Sequence, residues 1–211
     1  VGQFCTNPGL LISLKDRYTD ALIHELATEL KLIPEASMLN AGILKSFQRG
    51  VAAIREMNGV IMIHDHPSSE GLRTTPVLAT VPADVFLSHP QLHHEVFGPF
   101  SIMVLCENMD EMQRVADALE GQLTATVQVS DDELMETPPL IDILIHKAGR
   151  IIMNGVPTGV EVCAAMTHGG PYPASTDSRF TAVGHHAVQR WLRPVSFQNF
   201  PINMISDITN D

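Results

Sequence analysis

The feature that most constrains how this chain folds is the alternation of short apolar runs with helical stretches along its length. Residues 9–14 form an apolar run between Pro8-Gly9 and the charged Lys15-Asp16-Arg17, the pattern of a buried strand. Residues 20–32 carry Leu22, Ile23, Leu26 and Leu30 at three- and four-residue spacing. Ile33 continues that face and Pro34 closes it, which predicts a helix. A second helix is predicted over 40–57, with Ile43, Leu44, Phe47, Val51 and Ile54 inward and Asn58-Gly59 as its stop. Strands are expected at 60–63, 77–81 and 100–106, with a polar loop over 64–75. A helix over 110–119, a strand over 123–129, a helix over 140–148 and a strand over 150–153 follow in turn. This order predicts an α/β layered fold, a mostly parallel sheet flanked by helices. From 155 to 184 the texture turns to Gly, Pro, Ser and Thr, a stretch too long for a plain connector. A short helix over 185–192 and an extended segment over 194–200 end the pattern.

The composition, 45% hydrophobic and 18% charged over 211 residues, is that of a globular protein with one sizeable core. A net charge of −11 with only 13 scattered Lys and Arg argues against a nucleic-acid partner. No apolar run approaches the roughly 18 residues that span a bilayer, and the start has neither a basic nor an apolar leader region. The expected compartment is therefore the cytoplasm, with no membrane partner. Cys5, Cys106 and Cys163 are odd in number, far apart and outside any CxxC spacing, so no disulfide framework or zinc knuckle is expected.

Two segments carry chemistry. Cys5 lies in Gly2-Gln3-Phe4-Cys5-Thr6-Asn7-Pro8-Gly9, where Asn7-Pro8-Gly9 forces a turn after the thiol. A thiol on such a turn is exposed and has backbone N–H groups beside it to receive an oxyanion. The same residue also reads as a small buried hydrophobe. In His94-Glu95-Val96-Phe97-Gly98-Pro99, the carboxylate and the ring stand two residues apart and share a side if the backbone is extended. The plain alternative is a solvated Glu and a core Phe. Of the ten histidines, His64-Asp65-His66, His93-His94 and His185-His186 invite a metal reading, but no spacing fixes a third ligand, and no metal is expected.

Together the two segments resemble the aldehyde dehydrogenase family. That likeness implies Cys5 as the nucleophile, with Glu95 and Phe97 at the ribose and nicotinamide of NADP or NAD. It extends through residues 149–160, which are similar to the family's late strand and asparagine loop, and through 168–181 and 192–201. The run His168-Gly169-Gly170-Pro171-Tyr172-Pro173 is similar to one branch, the 2-oxoglutarate semialdehyde (2,5-dioxovalerate) and NADP-dependent fatty aldehyde dehydrogenases. The resemblance implies a pocket at Cys5 with Phe4, Thr6, Asn154, Gly169 and Gly170, a small aldehyde as substrate, and a catalytic domain over 1–184. Arg179 is a candidate for a distal substrate carboxylate, or else a structural arginine paired with Asp177. Residues 185–211 are expected to be a C-terminal helix and extended oligomerisation segment, giving a homodimer or homotetramer. The family places its dinucleotide-binding domain, oxyanion asparagine and glutamate base ahead of the cysteine. A start in mid-motif at Val1 therefore implies the catalytic portion of a longer enzyme, inactive by itself. Two other readings stand beside this one: a cysteine hydrolase or acyltransferase pairing Cys5 with a histidine such as His168, and a non-catalytic assembly domain.

Overall fold

The structure, a computed structural model, describes residues 2–66, 71–157, 159–160 and 162–204. Its main sheet has four strands. β1 (Leu10–Leu14) pairs in parallel with β6 (Phe100–Cys106), which pairs in parallel with β5 (Val77–Pro82); β3 (Ile61–His64) adds antiparallel to β5. Five of the six β5 residues are buried, as an apolar run covered on both faces must be.

On this sheet packs α2 (Ala41–Arg55), started by Asn40, whose Oδ1 accepts the Ile43 N–H at 3.0 Å. Its Leu44, Phe47, Val51 and Ile54 are buried, the stripe the spacing predicts. α1 (Thr19–Leu32) forms where expected, but among its residues only Thr19 is buried, and Leu22 stays exposed, as does Ile33 just beyond. Helical spacing reports an apolar face, and whether that face is covered depends on the neighbours packed on it.

The segment between β5 and β6 carries helical structure that the sequence pattern did not mark. It holds α3 (Ala83–Ser88), with Asp84 in its first turn and Phe86 fully buried, then a single 3-10 turn at Pro90–His93. Parallel neighbours need such a crossover. The expected loop over 64–75 contains β4 (Arg73–Thr74), which pairs antiparallel with β2 (Ala36–Ser37); its residues 67–70 lie outside the described residues.

α4 (Met109–Ala118), capped by Asn108, leads to a second parallel unit, β7 (Gln122–Val127), α5 (Pro138–Lys147) and β8 (Ala148–Met153). Ala116, Val127, Leu140 and Leu144 form a small core there, separate from the larger one over the main sheet. The described residues within 155–184 are irregular as expected, and the expected short helix is a 3-10 helix at His185–Trp191. No helix among the described residues is long and apolar enough to cross a membrane.

Candidate active site

The parallel register of β1 and β6, Leu10 opposite Ile102 through Leu14 opposite Cys106, sets the two chemical segments side by side. Residues that precede parallel strands emerge at the same sheet end, so the Cys5 turn and the Glu95–Pro99 strip meet there despite their distance in sequence. The contacts follow from that register. The Ile102 N–H donates to the Gly9 C=O at 3.0 Å, the Ser101 hydroxyl to the Pro8 C=O at 2.6 Å, and the Asn7 Nδ2 to the Gly98 C=O at 3.4 Å.

Cys5 sits at the corner of a turn closed by the Asn7 N–H donating to the Phe4 C=O at 2.9 Å. The thiol is exposed, and Phe4 beside it is 53% exposed. Thr6 faces inward, and its buried hydroxyl has no hydrogen-bond partner among the described residues. On the other side of the turn, Gln3 Oε1 accepts the Leu39 N–H at 2.9 Å.

The Glu95–Pro99 strip is held from beneath. His93 stacks on Phe86, ring centroids 4.3 Å apart and 17° from parallel, with Nε2 bonded to the Phe86 C=O at 3.0 Å. Val96 fits over Gly50 of α2, where an added Cβ would stand 3.0 Å from a Val96 methyl. Gly98 has φ +148°, and a Cβ there would lie 2.5 Å from the buried Phe47 ring. These supports leave Glu95 exposed and Phe97 43% exposed, and no hydrogen bond or ion pair with a described residue engages the Glu95 carboxylate.

The Asn154 side chain brackets Val129, accepting its N–H at 2.8 Å and donating to its C=O at 2.9 Å, beyond the end of β8. Gly169 and Gly170 lie at the opposite end of that sheet, where a Cβ on Gly149 would meet the Gly169 carbonyl and one on Gly170 the Gln122 carbonyl. Residues 149 and 154 are five strand positions apart, roughly 16 Å, so one small pocket does not contain both loops. Arg179 forms a two-pronged pair with Asp177, at 2.9 Å and 2.6 Å, and these bonds hold the Asp177 carboxyl down at about 2. The His168 N–H donates to Thr181 Oγ1 at 2.9 Å, and among the described residues no hydrogen bond joins His168 to the Cys5 turn. Among the described residues no three His, Cys, Asp or Glu side chains converge as a metal set. The supporting roles of Gln3, Asn7, Gly50 and His93 were not read from sequence. Gln3 and Asn7 lie within the Cys5 motif, but the Asn7 partner is 91 residues away.

No protein-family model matches the chain. Over 208 residues it is 42% identical to alpha-ketoglutaric semialdehyde dehydrogenase 2 of Azospirillum brasilense, covering 98% of this chain and 40% of that protein. It is likewise 42% identical to the alpha-ketoglutaric semialdehyde dehydrogenase of Acinetobacter baylyi, over 100% of this chain and 40% of the relative. Among solved structures, gamma-glutamyl-gamma-aminobutyraldehyde dehydrogenase from Burkholderia cenocepacia superposes with TM-score 0.73 at 20% identity, over 90% of this chain and 38% of that one. Succinic semialdehyde dehydrogenase from Streptococcus pyogenes, solved with NADP+ as the cofactor, superposes with TM-score 0.65 at 18% identity, over 80% and 37%. Over its whole length the chain is similar in sequence to part of the Azospirillum and Acinetobacter semialdehyde dehydrogenases, and its fold is that of part of the aldehyde dehydrogenases. It spans 40% of the length of each of the two alpha-ketoglutaric semialdehyde dehydrogenases.

Proposed function

We propose that this chain supplies the thiol half of an NAD(P)-dependent aldehyde dehydrogenase that oxidises 2,5-dioxopentanoate (2-oxoglutarate semialdehyde) to the carboxylic acid. The observation that carries the reading is the junction at one end of the β1–β6 pair. There the exposed Cys5 turn is bonded to Gly98, directly after the exposed Glu95 and Phe97. The choice of aldehyde rests on the names of the relatives.

The residues present fit a dinucleotide. An unengaged carboxylate at Glu95 can accept hydrogen bonds from ribose hydroxyls, and the half-open Phe97 ring offers a flat apolar face to a heterocycle. The bound cofactor supplies the hydride acceptor. Cys5, as the thiolate, adds to the aldehyde carbon, and the Cys5 N–H in the Phe4–Asn7 turn receives the developing oxyanion. Departure of hydride from that carbon leaves a thioester on Cys5, and water then cleaves the carbon–sulfur bond to release the acid and the thiol. The balance is aldehyde, NAD(P)+ and water giving carboxylate, NAD(P)H and two protons. Exposed Phe4 flanks the reacting carbon in this reading, while the Thr6 side chain is buried behind the turn. In this reading Arg179 is a structural arginine, paired with Asp177. Gly169, Gly170 and Asn154 keep the β7–β8 unit in shape.

The same reading makes the enzyme cytoplasmic, where free thiols such as Cys5, Cys106 and Cys163 persist. It also makes the full enzyme a homodimer or homotetramer, supported by the exposed Trp191, Leu192, Val195 and Phe197 near the described C-terminal segment. Residues 205–211 lie outside the described residues. Residues 1–184 act as the catalytic portion, and by itself the 211-residue chain forms no NAD(P)H.

The test is a chimaera in which residues 1–211 replace the matched portion of the Azospirillum relative. Folded chimaera should reduce NAD(P)+ with 2,5-dioxopentanoate, and should do so faster than with an unbranched aliphatic aldehyde. Folded chimaera without aldehyde-dependent NAD(P)H would end the reading.

A further inference from the structure

We propose that Asn7 is a positioning residue that joins the Cys5 turn and the Glu95-Val96-Phe97 strip into one rigid unit, holding the thiol at a set place relative to the face that takes the nicotinamide. The functional half of this inference rests on the reading above. Asn7 does two things at once. Its backbone N–H closes the turn on the Phe4 C=O at 2.9 Å, and its side-chain amide docks that turn on the Gly98 C=O at 3.4 Å.

The acceptor is fixed. The Gly98 C=O also receives the Phe100 N–H at 2.9 Å, and Gly98 itself lies against Phe47 and Met38, both buried in the core. Two donors on one carbonyl, on a glycine with no room to move, make the Asn7 amide a side-chain tie from the turn to a fixed point of the strip. Gln3 ties the far side of the turn to Leu39. Cys5 is thus the exposed apex between two anchored residues, four apart in sequence. Without the Asn7 donor the turn keeps Gln3 on one side and the Pro8 and Gly9 carbonyls, bonded to Ser101 and Ile102, on the other, and loses its direct side-chain tie to the strip at Gly98. A displacement of about 1 Å at a reacting group lowers rate on the order of 100-fold, so a joint this close to the thiol bears on turnover.

Amide hydrogen exchange, read by mass spectrometry on the 211-residue chain, tests the joint with no need of activity. Asn7→Ala removes the donor. Asn7→Asp keeps the shape and puts an acceptor where the donor was. Exchange in peptides covering 2–9 and 95–100 should accelerate together, by about five-fold, the factor that loss of one ordinary hydrogen bond allows. Peptides covering 77–82 should keep their wild-type rate, and Asp should act at least as strongly as Ala. Acceleration confined to 2–9, an Asn7→Asp protein that behaves as wild type, or a uniform acceleration that includes 77–82 would each overturn the proposal. In the chimaera, Asn7→Ala should lower kcat at unchanged KM for the dinucleotide; an unchanged kcat would overturn the functional half. A wild-type chimaera without aldehyde oxidation would remove the proposed function, while the exchange result would stand or fall separately.

Discussion

Replacing Gly98 by Ala should strike the site and the core together, and its cost can be worked from the structure. A Cβ at residue 98 would lie 2.5 Å from Phe47 Cδ2, 3.0 Å from Cε2 and 3.1 Å from the Met38 methyl. Phe47 is 3% exposed and Met38 2%, so neither yields into solvent. Overpacking of this kind costs about 1–3 kcal/mol. Holding an L-residue at φ +148° adds roughly 1–2 kcal/mol. The sum is about 3 kcal/mol, which for a chain of this size lowers Tm by roughly 6–12 °C. The control is Gly9→Ala, at the other end of the same junction, where an added Cβ meets nothing within 4 Å. That variant should melt within a degree or two of wild type, or slightly above it because alanine narrows the unfolded ensemble. Scanning calorimetry of the three proteins measures the difference. A Gly98→Ala protein that melts like the Gly9→Ala control would refute the claim that Gly98 is wedged against the core.

Three further outcomes are expected. Burial, with His66 nearby, pushes the His64 imidazole below its ordinary 6.5, so the unfolded chain binds the extra proton first. Stability should therefore be full above that value and fall as pH drops below it; denaturant midpoints at pH 7.5 and 5.5 should differ more in wild type than in His64→Gln. Thiol labelling should modify exposed Cys5 in the native protein and spare buried Cys106, whose thiol burial pushes up to about 12, until denaturant is added; early modification of Cys106 would contradict its place in the core. Removing residues 194–211 from the folded chimaera should lower its oligomeric mass in light scattering, and an unchanged mass would show that another surface holds the subunits.

The strands β5 and β6 and the helix α2 were legible because each is long enough to show its period and buries the residues that the pattern marks, whereas β1 was legible as a strand but its five residues are half-buried rather than buried. α3 was not, since six residues give barely two turns, and neither were the two-residue strands β2 and β4, which exist only through each other. α1 was legible as a helix but not in its burial. At the site, the Cys5 and Glu95-Phe97 motifs were visible from residues that look like a known pattern. Their physical meeting follows from a parallel register that no local spacing encodes. The resemblance implied one pocket for Asn154 and Gly169-Gly170, yet the length of β8 sets the two loops at opposite ends of a sheet. The Asp177–Arg179 pair was readable from two residues alone, because an i, i+2 acid and base on a turn can satisfy each other locally.

The central claim is that Cys5 carries the substrate as a covalent acyl group, and acid-quenched mass spectrometry of the folded chimaera tests it most directly. During turnover with 2,5-dioxopentanoate and NAD(P)+, the peptide containing Cys5 should gain the mass of the acyl group, lose it on treatment with hydroxylamine, and show neither change in the Cys5→Ala protein. Aldehyde oxidation that persists in Cys5→Ala, or an acyl group found on another residue, would contradict the account.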